Sequence, residues 1–152
     1  MIGGRRAIVA TALVIALIFG GSWVLDYVAA GEVHVSAQFK PSVLPADGFT
    51  TGALTVHVTG SGGAPRVGDT VEVLDEGLGF FDRTRALTDK NGVAVYVYTP
   101  ARASAYSPAA SAPVLITDIS LGRLIEFDKV STFTIPIVDP SKYKGHASGA
   151  GN

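Results

Sequence analysis

The chain has 152 residues, a net charge of −1 and no cysteine. Without cysteine it has neither a disulfide framework nor a cysteine zinc site, and its balanced charge provides no basic field for nucleic acid. The length allows one domain with a real hydrophobic core beside a terminal segment.

The N-terminal segment Ala7–Leu25 contains nineteen residues without a charge, nearly all of them apolar. As a helix it would reach about 28 Å, close to the hydrocarbon thickness of a bilayer. Arg5 and Arg6 precede it, and arginine beside a spanning helix is retained on the cytoplasmic side. Trp23 and Tyr27 follow near its outer end, where amphipathic rings prefer the headgroup region. The sequence predicts a single-pass anchor in the inner or cytoplasmic membrane, with the N-terminus in the cytoplasm and the remainder periplasmic or extracellular.

A cleaved secretory signal peptide is the alternative interpretation of this segment. Basic residues precede the apolar run, and residues 28–30 form an acceptable small-residue cleavage site. We favour the uncleaved anchor because the stretch before that site is long and carries Trp23, Asp26 and Tyr27.

Small residues recur at intervals of four within the segment, at Ala12, Ala16 and Gly20. This spacing places them on one helix face, where they would let a neighbouring helix approach closely. Chance is the alternative, because alanine and glycine are common in spanning helices. The segment carries no ionisable side chain, so it offers no proton relay.

Strands are predicted after the anchor, where apolar and polar residues alternate. In the segment 77–82, the adjacent Phe80 and Phe81 would point to opposite faces of a strand, so both can hardly be core residues. Asp89–Gly92 is typical of a tight turn, and Thr99–Pro113 is the longest predicted loop. The predicted strands are Glu32–Phe39, Ala53–Thr59, Thr70–Leu74, Thr84–Thr88, Val93–Tyr98, Val114–Ile119, Arg123–Phe127 and Val130–Val138.

Short strands with turn signals every 8–12 residues indicate an all-β antiparallel sandwich. No helical period follows the anchor, which argues against an α/β fold. We predict a cytoplasmic N-terminus over residues 1–6, an anchor and short link over 7–30, the sandwich over 31–138 and a flexible tail over 139–152.

Three turn motifs resemble those of the bacterial immunoglobulin-like domains of the invasin and intimin group: Ala46–Gly48, Ala64–Val67 and Thr88–Ala94. The resemblance covers roughly residues 33–138. It implies an immunoglobulin-like sandwich that is generally non-catalytic and serves as a spacer or binding module. Invasin-type proteins string several such domains after an outer-membrane barrel, whereas this chain has one domain and one apolar helix. The resemblance therefore supports the fold more than it supports adhesion.

Motifs for chemistry are weak in this sequence. His34 and His57 lie on the polar side of their strands, but two histidines without a third ligand are poor evidence for a metal site. Asp89 and Asn91 lack the closing glutamate of a calcium loop of the EF-hand type. We predict no enzymatic activity, no cofactor, no metal and no small-molecule substrate.

Three functions fit these features. The first is an accessory or structural subunit of a larger integral membrane complex, such as a respiratory, photosynthetic or secretion assembly, with the sandwich on its exoplasmic face. The second is a cell-surface adhesion or binding module, and the third is a pilin-like filament subunit. Possible partner contacts are residue types enriched at interface hot spots, with ordinary core or rim packing as the alternative. These residues are Phe80, Phe81, Arg102 and Tyr106.

Overall fold

The computed structural model describes residues 2–121 and 127–143, without the side chains of residues 2–9, 26, 29–31, 121 and 127. One long helix, α1, covers Ile2–Gly31 and precedes all the strands. The strands are β1 (His34–Lys40), β2 (Leu44–Pro45), β3 (Gly52–Thr59), β4 (Thr70–Asp75), β5 (Gly79–Phe81), β6 (Arg85–Leu87), β7 (Val93–Pro100), β8 (Ala112–Leu121), β9 (Phe127–Ile135) and β10 (Ile137–Val138).

Two four-stranded antiparallel sheets form a sandwich. Their strand orders are β1-β3-β7-β5 and β6-β4-β8-β9. The short strands β2 and β10 pair in parallel. Strand β2 follows β1, an edge strand of the first sheet, and β10 follows β9, an edge strand of the second. The β2–β10 pair therefore joins the two sheets where β1 and β9 end. The predicted all-β antiparallel sandwich is confirmed.

The core follows from the alternation in the sequence. Strand β3 alternates buried and half-buried residues along its whole length and turns Leu54, Val56 and Val58 inward. Strand β4 buries Val71 and Val73 in the same way. Removing these aliphatic side chains from water is the main favourable term that holds the two sheets together.

Aromatic side chains divide between core and surface. Phe80 is 61% exposed, whereas Phe81 packs on the core, with ring centroids 4.9 Å from Tyr98 and 6.0 Å from Tyr96. The prediction that both phenylalanines cannot be core residues is therefore confirmed. For Phe81, ordinary core packing accounts for its position.

Strand β7 buries its tyrosines rather than its valines. Tyr96 and Tyr98 are fully buried, whereas Val95 and Val97 are exposed. The Tyr96 hydroxyl donates to the Val71 carbonyl at 2.7 Å, which joins the two sheets. A buried hydroxyl needs a hydrogen-bond partner. The Val71 carbonyl can serve Tyr96 because the side chain points into the space between the two sheets.

The strand directions give the sandwich two distinct ends. Strand β1 runs away from α1, so the end where the chain leaves α1 also holds the starts of β4, β7 and β9. We call this end the proximal pole. The loops 41–51, 101–111 and 139–143 lie at the opposite end, which we call the distal pole.

Helix α1 contacts the sandwich at β9. Its side chains between residues 10 and 25 are largely exposed, including Leu17 and Leu25. Among the described residues, no helix is both long enough and apolar enough to cross a membrane. The spanning anchor therefore stays a prediction from the sequence. The predicted strand at Arg123–Phe127 falls mainly on residues 122–126, outside the described part of the chain.

Candidate binding groove

Three loops meet at the distal pole around an open cavity of about 510 Å³, which we call the distal groove. This volume lies within the range typical of ligand sites. The loop between β2 and β3, the loop between β7 and β8 and the segment after β10 all contribute to its walls. Its polar and aromatic lining residues are Asp47, Phe49, Arg102, Ser104, Asp139 and Ser141.

Asp47 organises the first wall of the groove. Its Oδ1 accepts hydrogen bonds from the backbone N–H groups of Phe49, at 2.9 Å, and Thr50, at 2.7 Å. Its Oδ2 accepts from the Thr50 hydroxyl at 2.5 Å. Slight burial raises the pKa of Asp47, but these hydrogen bonds outweigh it and hold the pKa below its usual value. Asp47 is therefore an ionised carboxylate whose acceptor sites are largely used by its own turn.

Asp139 plays the same part on the opposite wall. It accepts from the Ser141 hydroxyl at 2.6 Å and from the Ser141 backbone N–H at 2.8 Å, which caps a single 3₁₀ turn at Pro140–Lys142. These two hydrogen bonds hold the pKa of Asp139 below its usual value. Both groove carboxylates thus serve to shape backbone turns.

Arg102 is positioned by a glycine. Gly48 has φ +84°, and a Cβ built on it would lie 3.2 Å from the Cβ of Arg102. The Asp47–Gly48 turn can therefore pack directly on the stem of Arg102. The Ala103 N–H also donates to the Ala46 carbonyl at 2.9 Å, so a hydrogen bond joins the two loops beside this contact.

The guanidinium of Arg102 is exposed and enters no ion pair within residues 2–121 and 127–143. Its donors are therefore available to a ligand, whereas the groove carboxylates are occupied by their turns. Phe49 is 76% exposed beside it, and Tyr106 is fully exposed on the neighbouring turn that Ser104 and Ser107 close. Exposed aromatic rings beside an arginine are a composition typical of interface centres.

The predicted contact residues are thus only partly brought together. Arg102 lies in the distal groove and Tyr106 on the adjoining turn, whereas Phe80 lies on the outer face of β5 and Phe81 packs on the core. Phe49 was not singled out from the sequence. Its position directly after the Ala46–Gly48 turn was a usable signal, because connecting segments run over the protein surface.

The remaining predicted site residues lie elsewhere in the chain. Ala12, Ala16 and Gly20 fall within α1, and nothing lies within 4 Å of a Cβ built on Gly20. The Trp23 and Tyr27 rings stack with their centroids 5.9 Å apart. Arg5 and Arg6 belong to the first turns of α1, and their side chains lie outside the described part.

The two strand histidines lie on the outer face of the β1–β3 pair. Ser36 is directly opposite His57, and His34 is directly opposite Thr59, so the histidines are diagonal neighbours. In the described stretches of the chain, no group of three or more histidine, cysteine, aspartate or glutamate side chains is arranged to hold a metal ion.

Comparison with solved structures supports the sandwich topology. The adhesin InvE of Yersinia pseudotuberculosis superposes with a TM-score of 0.51 and 16% identity, over 71% of this chain and 28% of that one. The chain has an immunoglobulin-like fold. The likeness shows the fold alone.

Two further structures resemble the immunoglobulin-like sandwich more weakly. A C-terminal intimin fragment, solved in complex with the intimin-binding domain of the translocated intimin receptor, gives a TM-score of 0.49 and 17% identity, over 68% of this chain and 33% of that one. A conjugative transposon lipoprotein of Bacteroides eggerthii gives a TM-score of 0.39 and 18% identity, over 67% of this chain and 96% of that one. The chain spans less than half the length of the intimin and InvE structures that it matches. No protein-family model and no curated protein matches it.

Proposed function

We propose that this chain is a non-catalytic binding subunit held at a membrane by α1, with the distal groove as its contact with a protein partner. The observation that carries the proposal is the separation of the two features. The chain enters the immunoglobulin-like sandwich at the proximal pole, and the groove opens at the distal pole. A module attached at one end and equipped with an exposed arginine and aromatic rings at the other is suited to hold a partner above a surface.

The membrane attachment rests on the amino-acid sequence. The apolar run begins at Ala7, after Arg5 and Arg6, and α1 continues through it for 30 residues in total. As a helix, the nineteen-residue apolar run alone would extend about 28 Å, close to the hydrocarbon thickness of a bilayer. Its exposed leucine and isoleucine side chains have no cover from the sandwich and would be stabilised by lipid. We infer an N-terminus in the cytoplasm and a periplasmic or extracellular sandwich.

We further propose that the partner belongs to a larger integral membrane complex, of which this chain is an accessory subunit. The short link between the helix and the sandwich supports this over a free surface adhesin. Glu32 and Val33 alone separate α1 from β1. The sandwich would therefore stay close to the membrane, within reach of neighbouring subunits. A surface binding module is the second candidate, and the fold shared with the InvE adhesin favours it.

Replacing Arg102 with glutamine is expected to raise the dissociation constant of the partner complex at least tenfold, the size typical of truncating a central interface arginine. The fold should be unaffected, because Arg102 is exposed and holds no ion pair within the described ranges. The measurement is retention of the co-purifying complex on native electrophoresis, with the full chain in mild detergent. Arg83→Gln is the matched control, because Arg83 is an exposed arginine away from the groove. Equal retention of both variants would exclude the groove as the contact.

Replacing Ala16 with isoleucine tests the helix. If α1 packs on a spanning partner through Ala12, Ala16 and Gly20, a bulky side chain in the middle of that stripe should separate the helices and reduce co-purification severalfold. Leu17→Ile is the control, because it changes a neighbouring face by a volume-conserving substitution. The unfolding temperature of the sandwich should be the same for both variants. Undiminished co-purification of the Ala16 variant would show that the stripe is not a packing face.

A further inference from the structure

A second cluster of charged side chains lies at the proximal pole, outside the proposed binding site. Asp118 of β8 is fully buried, and its Oδ1 accepts a hydrogen bond from the Ser120 N–H at 3.0 Å. Its Oδ2 has no hydrogen-bond partner in the part of the protein that the structure describes. A buried carboxylate oxygen without a donor is costly, so this atom needs an explanation.

The neighbour that explains it is a second carboxylate. Val71 pairs directly with Asp118, and Asp69 lies two residues before Val71, just ahead of the first residue of β4. The chain thereby brings the Asp69 carboxyl within hydrogen-bonding reach of the Asp118 carboxyl. Asp69 is itself buried. Two buried carboxylates at this spacing repel each other when both are ionised and attract when one proton lies between them.

Asp69 belongs to a turn that is tied firmly to other strands. Arg66 pairs with the Asp69 carboxylate. The Thr88 hydroxyl accepts from the Asp69 N–H at 2.9 Å and donates to the Arg66 carbonyl at 2.7 Å. The next residue, Thr70, donates its N–H to the Ser120 hydroxyl. The turn Arg66–Asp69 is therefore tied to Thr88, and the residue that follows it is joined to β8 through Ser120.

We propose that Asp69 and Asp118 share a single proton, and that this proton latches the Arg66–Asp69 turn to β8 at the proximal pole. With the proton in place, Arg66 balances the one remaining negative charge and the free Oδ2 of Asp118 gains a partner. When the proton leaves, a second negative charge is buried without a donor. The latch then weakens, and the turn separates from β8.

Among the residues that the structure describes, few charged groups lie around Asp118. Burial raises the pKa of Asp118, and the negative charge of Asp69 raises it further. The hydrogen bond from the Ser120 N–H opposes them, and the resulting pKa is about 6. Lys129 of β9 lies directly opposite Asp118 in the strand register, yet it does not occupy the free Oδ2. From the other sheet, the buried residues at this pole are Val33 and Val58, which do not titrate. Within residues 2–121 and 127–143, Arg66, Asp69 and Lys129 are thus the charged groups that act on the proton affinity of Asp118.

The direction of the pH effect follows from the raised pKa. An acid that binds its proton more tightly in the folded protein contributes stability that is complete below about pH 4 and is lost as the pH rises through 6. The unfolding temperature should therefore fall by roughly 5 °C between pH 4.5 and pH 7.5. Four other aspartates have lowered pKa values, so their contribution to the stability changes only below about pH 4.5. They are Asp47, Asp82, Asp89 and Asp139.

The test compares the unfolding temperature of the full chain in mild detergent across this range for three proteins. In Asp118→Asn, the amide can donate to Asp69 permanently, so the curve should become flat and lie above the natural protein at pH 7.5. Asp128→Asn is the control, because it removes an exposed carboxylate from the neighbouring strand and should keep the natural slope. A slope in Asp118→Asn equal to that of the natural protein would overturn the proposal.

Carboxyl-carbon NMR on the natural protein keeps the proposal testable if Asp118→Asn does not fold. One aspartate signal should titrate with a midpoint near pH 6, and Asp69→Asn should move that midpoint below pH 5, because the new amide would donate to an ionised Asp118. If Lys129 instead held Asp118 as a carboxylate, no aspartate signal of the natural protein would titrate with a midpoint near pH 6, and the shared proton would be excluded.

Discussion

Replacing Tyr96 with alanine is expected to lower the free energy of unfolding by about 3–5 kcal/mol, a large part of the stability of a domain of this size. The side chain is fully buried between the sheets, and its ring packs edge-on against Phe81 at 6.0 Å. Its hydroxyl also donates from β7 to the Val71 carbonyl on β4, at 2.7 Å. The substitution therefore leaves a large cavity and removes a hydrogen bond that joins the sheets.

Two further variants show which part of Tyr96 accounts for the lost stability. Tyr96→Phe keeps the ring and removes only the hydroxyl, so it should cost about 1 kcal/mol. Tyr106→Ala removes a fully exposed tyrosine and should change the stability by less than about 0.5 kcal/mol. Denaturant unfolding followed by near-ultraviolet circular dichroism measures all three. A loss in Tyr96→Ala as small as that in Tyr96→Phe would mean that this tyrosine does not fill the core.

Replacing Gly92 with alanine is expected to destabilise the fold by about 3 kcal/mol. Gly92 has φ +71°, which costs a side chain about 1–2 kcal/mol. A Cβ at this position would also lie 2.5 Å from the Val58 carbonyl oxygen and 3.0 Å from the backbone nitrogen of Arg66. Relieving that contact must move backbone at a point where β3 and two turns meet, and such overpacking adds about 1–3 kcal/mol.

Gly68→Ala separates the two causes. Gly68 has nearly the same backbone conformation, at φ +79°, but nothing lies within 4 Å of a Cβ built on it. Its substitution should cost only the conformational part, about 1–2 kcal/mol. The measurement is the difference in unfolding free energy between the two variants. Equal losses would show that the close approach of Val58 to Gly92 is not present in solution.

Much of the fold could be predicted from alternation alone. Val56, Val58, Val71 and Val73 fall on inner faces because each of their strands has one apolar side and one polar side. Strand β7 is harder, because valines alternate with residues that are also apolar. The tyrosines occupy the inner face of β7, because their rings fill more volume and the Tyr96 hydroxyl donates a hydrogen bond to the Val71 carbonyl. Alternation does not carry that information.

The distal groove and the charged cluster at the proximal pole could not be predicted from the sequence, and the reason is the same for both. Arg102 meets the Gly48 turn, and Asp118 meets Asp69, across about fifty residues of chain. Each contact depends on which strands become neighbours. The tight turn at Asp89 was accessible, because its carboxylate accepts from the N–H groups of Asn91 and Val93 within the same segment. Local chemistry is readable from sequence, whereas pairing between distant segments is not.

The most direct test of the proposed function is native electrophoresis combined with mass spectrometry on source membranes dissolved in mild detergent. A membrane-held accessory subunit should sediment with the membranes before extraction and then migrate at fixed stoichiometry within one large assembly. Recovery of the chain without membranes, or its migration alone or as a small homo-oligomer, would contradict the account.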